Sequence, residues 1–152
     1  MCSRIVVETV ISMKTIRFGE IDDKVPRESP GIYEIHTDSG IPLKVGVAKD
    51  IKERLRQHRS SADKYLEWME GSDRTEPGHA TSKRSILAKH LFFDESITTE
   101  FDLKTEIGRQ RYLAERCHIR FRVTQTRDEA LNLEGPMEKE GVFRYVGAVR
   151  RR

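Results

Sequence analysis

Residues 30–58 constrain the fold most, because within this one stretch a strand pattern gives way to a helix pattern. A short apolar run at 31–35 follows Pro30, and the residue before a proline favours an extended backbone. The turn-forming residues 37–40 separate this run from a second one at 41–45. The pattern predicts a β-hairpin.

A helix is predicted directly after the hairpin, over residues 50–59. Asp50 and Glu53 form a capping box, and apolar residues recur at helical spacing. Arg54 and His58 lie one turn apart at the edge of the apolar face, where a guanidinium can reach across the sheet. A histidine at a helix edge packs more often than it catalyses.

Glu134 is the second informative feature, because its neighbours at helical spacing are apolar. The apolar residues of this arc are Ala130, Leu133 and Met137. Thr126 and Glu129 form the capping pair that begins this helix. A buried carboxylate is usually paired with a base, protonated or bound to a cation, so an ion pair and a metal ligand are both open. Pro136 predicts a kink or a stop shortly afterwards.

These residues resemble the motifs of the GIY-YIG nuclease family. Gly31-Ile32-Tyr33 matches the first triplet, and eleven positions after Tyr33 the second triplet reads Lys44-Val45-Gly46, with its glycine kept and its tyrosine replaced. Arg54 matches the family's helix arginine. Residues 126–134 are similar to its third block, with Glu134 at the metal-binding glutamate. The resemblance covers about residues 26–137, and the family's later asparagine has no counterpart.

The resemblance implies a fold, an activity and a cofactor. The fold is α+β, with a small, mainly antiparallel three-stranded sheet flanked by helices. The activity is metal-dependent cleavage of DNA phosphodiester bonds by an endonuclease. Tyr33 would be the base, Arg54 would stabilise the phosphate, and Glu134 would hold one Mg²⁺ or Mn²⁺.

Lys44 is the fourth candidate catalytic residue. Its ammonium beside Tyr33 would lower the pKa of the phenol, which is near 10 in water, or would bind the scissile phosphate. A surface cross-strand pair is the alternative. The two side chains share a sheet face only if the hairpin loop has an even number of residues.

Charge distribution favours a nucleic-acid partner more than the net charge of +3 does. Residues 44–59 and 104–122 each carry six Lys or Arg against two acids. Solvated helix faces are the alternative explanation. The candidate DNA contacts are Lys49, Arg56, His58, Arg109 and Arg111.

Composition predicts a soluble, cytoplasmic protein without a membrane span. Charged residues make up 35% and hydrophobic residues 36%, with no long apolar run and no secretory leader pattern. Cys2 and Cys117 lack metal-ligand spacing, which indicates reduced thiols and no structural zinc.

A length of 152 residues predicts one domain. We expect an N-terminal extension at 1–29 that packs on the domain, the nuclease-like domain at 30–140 and a basic tail at 141–152. Helices are predicted at 61–70, from 82 and at 103–116. A strand is predicted at 118–123 and a polar loop at 71–79. Two other functions stay open, a nucleic-acid-binding module that has lost cleavage and a structural interaction domain. Any target preference would come from this domain or from a protein partner.

Overall fold

The computed structural model describes residues 12–61, 70–71, 86–94 and 97–145. In these ranges the chain is α+β, with four strands, five helices and a short 3-10 turn at Phe18–Glu20. The strands are β1 (Lys14–Arg17), β2 (Gly31–Thr37), β3 (Pro42–Ala48) and β4 (Cys117–Val123). The helices are α1 (Ile21–Lys24), α2 (Ile51–Ser60), α3 (Ile86–Phe93), α4 (Glu106–Arg116) and α5 (Arg127–Lys139).

The sheet is antiparallel with the order β1-β4-β2-β3. The sequence predicts three strands, and that number is wrong because β1 adds a fourth. This strand belongs to the expected N-terminal extension, whose pattern is ambiguous between strand and helix. Ile16, Phe18, Ile21 and Val25 are buried in the main core, so residues 14–25 are part of the domain itself.

The β2–β3 hairpin forms as the turn residues predict. Residues 38–41 connect the strands, but the pairs next to the turn, Thr37–Ile41 and His36–Pro42, enclose an odd number of residues. The register shift between Ile35 and His36 adds one residue and restores the parity that the shared face requires. Tyr33 pairs with Gly46 and Ile35 pairs with Lys44, and the register shifts only beyond Ile35. Tyr33 and Lys44 therefore lie on the same face of the sheet.

Helices cover both faces of the sheet. Tyr33, Ile35 and Ile119 share the main core with residues of α2, α3 and α4, among them Leu55, Leu91 and Leu113. The opposite face carries Ile32 and Val45, which pack with Ala130 and Leu133 of α5 and with Phe143. The sequence places the functional residues on α2 and α5, and these helices lie on opposite faces.

Both predicted caps are present. The Asp50 side chain accepts from the backbone N–H of Glu53 at 3.2 Å, and the Thr126 hydroxyl accepts from the N–H of Glu129 at 3.1 Å. Pro136 does not stop α5, which continues to Lys139. Proline lacks one N–H donor, and at the end of the helix the N–H of Glu140 donates to the Pro136 carbonyl at 3.2 Å.

The remaining elements agree with the sequence in part. The strand expected at 118–123 is β4, and the helix expected at 103–116 begins later, with Thr105 as its cap. The helix expected from 82 is described as α3, whereas most of the segments at 61–70 and 71–79 lie outside the described residues. The expected tail begins with a docked segment, because the N–H groups of Arg144 and Tyr145 donate to the carbonyls of Pro42 and Leu43.

Among the described helices, none is long and apolar enough to cross a bilayer.

Candidate active site

Tyr33 lies at the centre of the candidate site. It belongs to the inner strand β2, and its side chain is 2% exposed. Its hydroxyl is 2.7 Å from Nε2 of His58, and the two rings are tilted by 57°. A buried phenol and a buried imidazole thus satisfy each other across the sheet–helix interface.

The glycines of the two triplets each have a steric reason. A Cβ at Gly46 would lie 2.6 Å from Cζ of Tyr33, so the ring occupies the space a side chain would need. A Cβ at Gly31 would lie 2.5 Å from the carbonyl oxygen of Arg122 in β4. Glycine at these positions lets the phenol lie over β3 and lets β2 approach β4 closely.

Helix α2 supplies Arg54 and His58 one turn apart. His58 is 2% exposed, and its Nδ1 is buried without a hydrogen-bond partner among the described residues. Arg54 is half-buried and thus more accessible than His58. The helix therefore presents a buried imidazole and a more accessible cation to the same phenol.

The pKa of Tyr33 is raised, which is the opposite of what the sequence suggests. Burial of the phenol is the main cause, and the charge of Glu134 adds to it. The charge of Arg54 lowers the pKa without overcoming the burial. The expectation that neighbouring cations produce a phenolate is wrong for this state of the protein, and Tyr33 carries its proton.

The pKa of His58 lies well below its ordinary value of 6.5. Burial is the main cause, followed by the charges of Lys44 and Arg54. His58 is therefore a neutral imidazole near pH 7. Its neutral form can either accept the Tyr33 proton at Nε2 or donate its own.

The predicted catalytic residues act on one Tyr33–His58 pair. Arg54 and Glu134 influence the phenol, while Lys44 and Arg54 influence the imidazole. Lys44 is 9% exposed, and Glu134 is half-buried. Helix α5 packs against β3 and β2 on the face opposite the Tyr33 side chain, and the link between Glu134 and Tyr33 is the electrostatic effect on the phenol.

Glu134 is the predicted metal ligand. Within the described ranges, no three His, Cys, Asp or Glu side chains converge as a metal site. Mg²⁺ commonly keeps several waters and binds through one or two carboxylates. A single half-buried carboxylate is the smallest protein donor set that fits this ion.

The predicted DNA contacts divide into exposed and buried residues. Lys49 is exposed beside a cavity of about 630 Å³, which Arg127 also lines. Arg111 is exposed, with its guanidinium 4.9 Å from the Phe101 ring centroid. Arg56 is partly exposed and pairs with Asp22 at 2.8 Å.

Two of these predictions are wrong, because His58 and Arg109 are buried. Arg109 is 0% exposed and donates to both oxygens of Ser61. Neither side chain is available to a phosphate on the surface. The sequence held one indication that His58 belongs to the site, namely its position one turn after Arg54. His58 was instead predicted to be a DNA contact because it lies in a basic stretch.

Comparisons of the chain with models of known families, with curated proteins and with solved structures gave no match.

Proposed function

We propose that this protein is a metal-dependent DNA endonuclease with a GIY-YIG-type site. The observation that carries the proposal is the buried Tyr33–His58 hydrogen bond, surrounded by the charges of Lys44, Arg54 and Glu134. Phosphodiester hydrolysis needs a proton acceptor for water, positive charge on the phosphate and charge relief at the leaving oxygen. This chain has a residue for each requirement.

The proton acceptor is the Tyr33–His58 pair. As water attacks phosphorus, Tyr33 Oη takes a proton from the water and passes its own proton to Nε2 of neutral His58. His58 becomes an imidazolium, and the phenol is restored. Burial, followed by the charges of Lys44 and Arg54, keeps His58 unprotonated beforehand, and the bound phosphodiester offsets the part that these charges contribute.

Positive charge on the phosphate comes from Arg54 and Lys44. The planar guanidinium of Arg54 can bind two phosphate oxygens at once, and the Lys44 ammonium is a compact charge on the same sheet face as Tyr33. Both lie in a partly water-excluded region, where a fixed charge stabilises a transition state more than it does in bulk water.

Glu134 would hold Mg²⁺ or Mn²⁺. When bound, the ion supplies charge relief at the leaving oxygen. Near the phenol, the free carboxylate raises the pKa of Tyr33, so neutralising this charge would favour proton release from Tyr33.

A DNA-binding module without cleavage is the second candidate. The raised pKa of Tyr33 favours it, as does the presence of Lys44 where the family has a second tyrosine. If Tyr33 never loses its proton, the Tyr33–His58 pair cannot accept a proton from water, and the surrounding cations can only bind DNA.

A nicking assay separates the candidates. Supercoiled plasmid and branched DNA are incubated with the protein and Mg²⁺, with EDTA as the metal control. The proposal predicts cleavage that is lost in Tyr33→Phe and kept in Tyr112→Phe, which removes the hydroxyl of another buried tyrosine on α4. DNA binding without cleavage in the wild type selects the second candidate. Absence of both selects the interaction domain.

A further inference from the structure

Arg109 has an unusual environment for an arginine. It belongs to α4 and is 0% exposed, although a guanidinium stays charged at all physiological pH values. Nε donates to the Ser61 hydroxyl at 2.9 Å, Nη2 donates to the Ser61 carbonyl at 2.8 Å, and Nη1 donates to the Leu103 carbonyl at 3.2 Å. Burial of such a charge is tolerated only when its donors are satisfied.

The residue that Arg109 holds is the C-cap of α2. Ser61 has a left-handed backbone with φ of 46°, and its N–H donates to the Gln57 carbonyl at 3.2 Å. Serine adopts this conformation reluctantly because of its Cβ. Next to it, Gln110 donates to the Ser60 carbonyl at 2.7 Å. Two neighbouring side chains of α4 therefore bind the end of α2.

His58 lies in the last turn of α2, three residues before Ser61. Helix ends fray when their terminal carbonyls lack partners, and the last turn moves first. The 2.7 Å bond from His58 to Tyr33 depends on the position of this turn. We propose that Arg109 is a positioning residue, which clamps the left-handed end of α2 and thereby keeps Nε2 of His58 against the Tyr33 hydroxyl.

The functional part of this inference rests on the proposed nuclease activity, but the geometric part does not. Among the hydrogen bonds of the described residues, none joins Arg109 to Tyr33 or His58, so Arg109 acts through α2. A purely structural role would lower stability and leave the Tyr33–His58 bond intact at temperatures where the protein is folded.

Imidazole ¹⁵N spectra of the full chain test the clamp directly. The His58 signals are identified by their loss in His58→Phe, and they report its tautomer and hydrogen bonding. Below the melting temperature of each variant, we expect Arg109→Met to shift these signals toward those of an unbonded imidazole. Arg109→Lys should restore them only in part, because one ammonium cannot replace three directed donors.

A stability control and a milder variant complete the experiment. Ile16→Ala creates a cavity on the opposite edge strand β1 and should destabilise the fold while leaving the His58 signals unchanged. Ser61→Ala removes one acceptor and should shift the signals in the same direction by a smaller amount, so the test survives if Arg109→Met does not fold. Unchanged His58 signals in the folded Ser61 and Arg109 variants would overturn the clamp.

Cleavage kinetics then separate this inference from the proposed function. If the wild type cleaves DNA, Arg109→Lys should lower kcat by about a hundredfold, the effect of a displacement near 1 Å, with the Kd for DNA unchanged. A wild type that never cleaves, combined with shifted His58 signals, would reject the nuclease and retain the clamp. Full kcat in a variant with shifted signals would reject the functional part of the inference.

Discussion

The aromatic ring of Tyr33 lies over the backbone of Gly46, in the space where any other residue would place its Cβ. The two residues are paired across β2 and β3. The ring therefore lies over the edge strand β3, and its hydroxyl contacts His58. The glycine of the second triplet is therefore a structural requirement of the tyrosine of the first.

Replacement of Gly46 by alanine should displace the Tyr33 ring and break its bond to His58. We expect a loss of stability of about 1–3 kcal/mol from overpacking, together with loss of DNA cleavage. Thermal melting and the nicking assay measure the two effects. Gly19→Ala is the matched control, since nothing lies within 4 Å of its added Cβ. A Gly46→Ala protein with wild-type melting temperature and activity would show that the Tyr33 ring can shift away from the new Cβ at no cost.

The Tyr33–His58 bond should also appear as an energetic coupling. Tyr33→Phe leaves a buried imidazole nitrogen without its partner, which costs about 1–3 kcal/mol. The double variant with His58→Phe removes both polar groups and should be less destabilised than the sum of the single changes. Urea denaturation of all four proteins gives the coupling energy. Strict additivity would mean that the bond contributes nothing to folding.

Stability should decline as the pH falls below about 6.5, the pKa of an ordinary histidine. His58 stays neutral in the folded protein because burial lowers its pKa, whereas in the unfolded chain it gains a proton. Its contribution is thus complete above pH 6.5 and is lost toward the folded pKa, with a slope of at most about 1.4 kcal/mol per pH unit.

Denaturation of His58→Phe between pH 8 and pH 5 should show a shallower slope than the wild type over the same interval. Ile16→Ala, which lowers stability without changing a titrating group, should keep the wild-type slope. If His58→Phe also keeps it, His58 is not the group that links folding to protons in this range.

Glu134→Gln should abolish Mg²⁺-dependent cleavage and leave DNA affinity and melting temperature nearly unchanged. The amide keeps the shape of the side chain and removes the charge that binds the ion. If Glu134 instead serves mainly as one half of a buried ion pair, the variant should lose roughly 3 kcal/mol or more of stability. A stable variant that cleaves with Mg²⁺ as fast as the wild type would reject both roles.

DNA affinity should fall steeply with salt, because exposed cations bind phosphates and release counterions. Lys49→Met and Arg111→Met should each lower the slope of log K against log salt by about 1. Lys14→Met, a change of an exposed lysine on β1, should leave the slope unchanged. Affinity that does not vary with salt would reject the basic residues as the DNA contacts.

The sequence by itself determined several of the local elements. The hairpin, α2, β4 and α5 follow from residue periodicity, from caps such as Asp50 and from the turn at 37–40, all of which are set by neighbours in the chain. The pattern left the shared face of Tyr33 and Lys44 open, and the register shift beyond Ile35 decides it.

Only the tertiary structure decided which side chains are buried and what they contact. Lys14–Arg17 became a strand because β4 offers it an edge, and Arg109 left the surface because the end of α2 lies against α4. The same packing put Tyr33 and His58 out of water. Burial raised the pKa of Tyr33 despite the charge of Arg54, and it lowered the pKa of His58 together with the charges of Lys44 and Arg54. Burial depends on residues far apart in the chain, so no local pattern of charge or hydrophobicity could specify it.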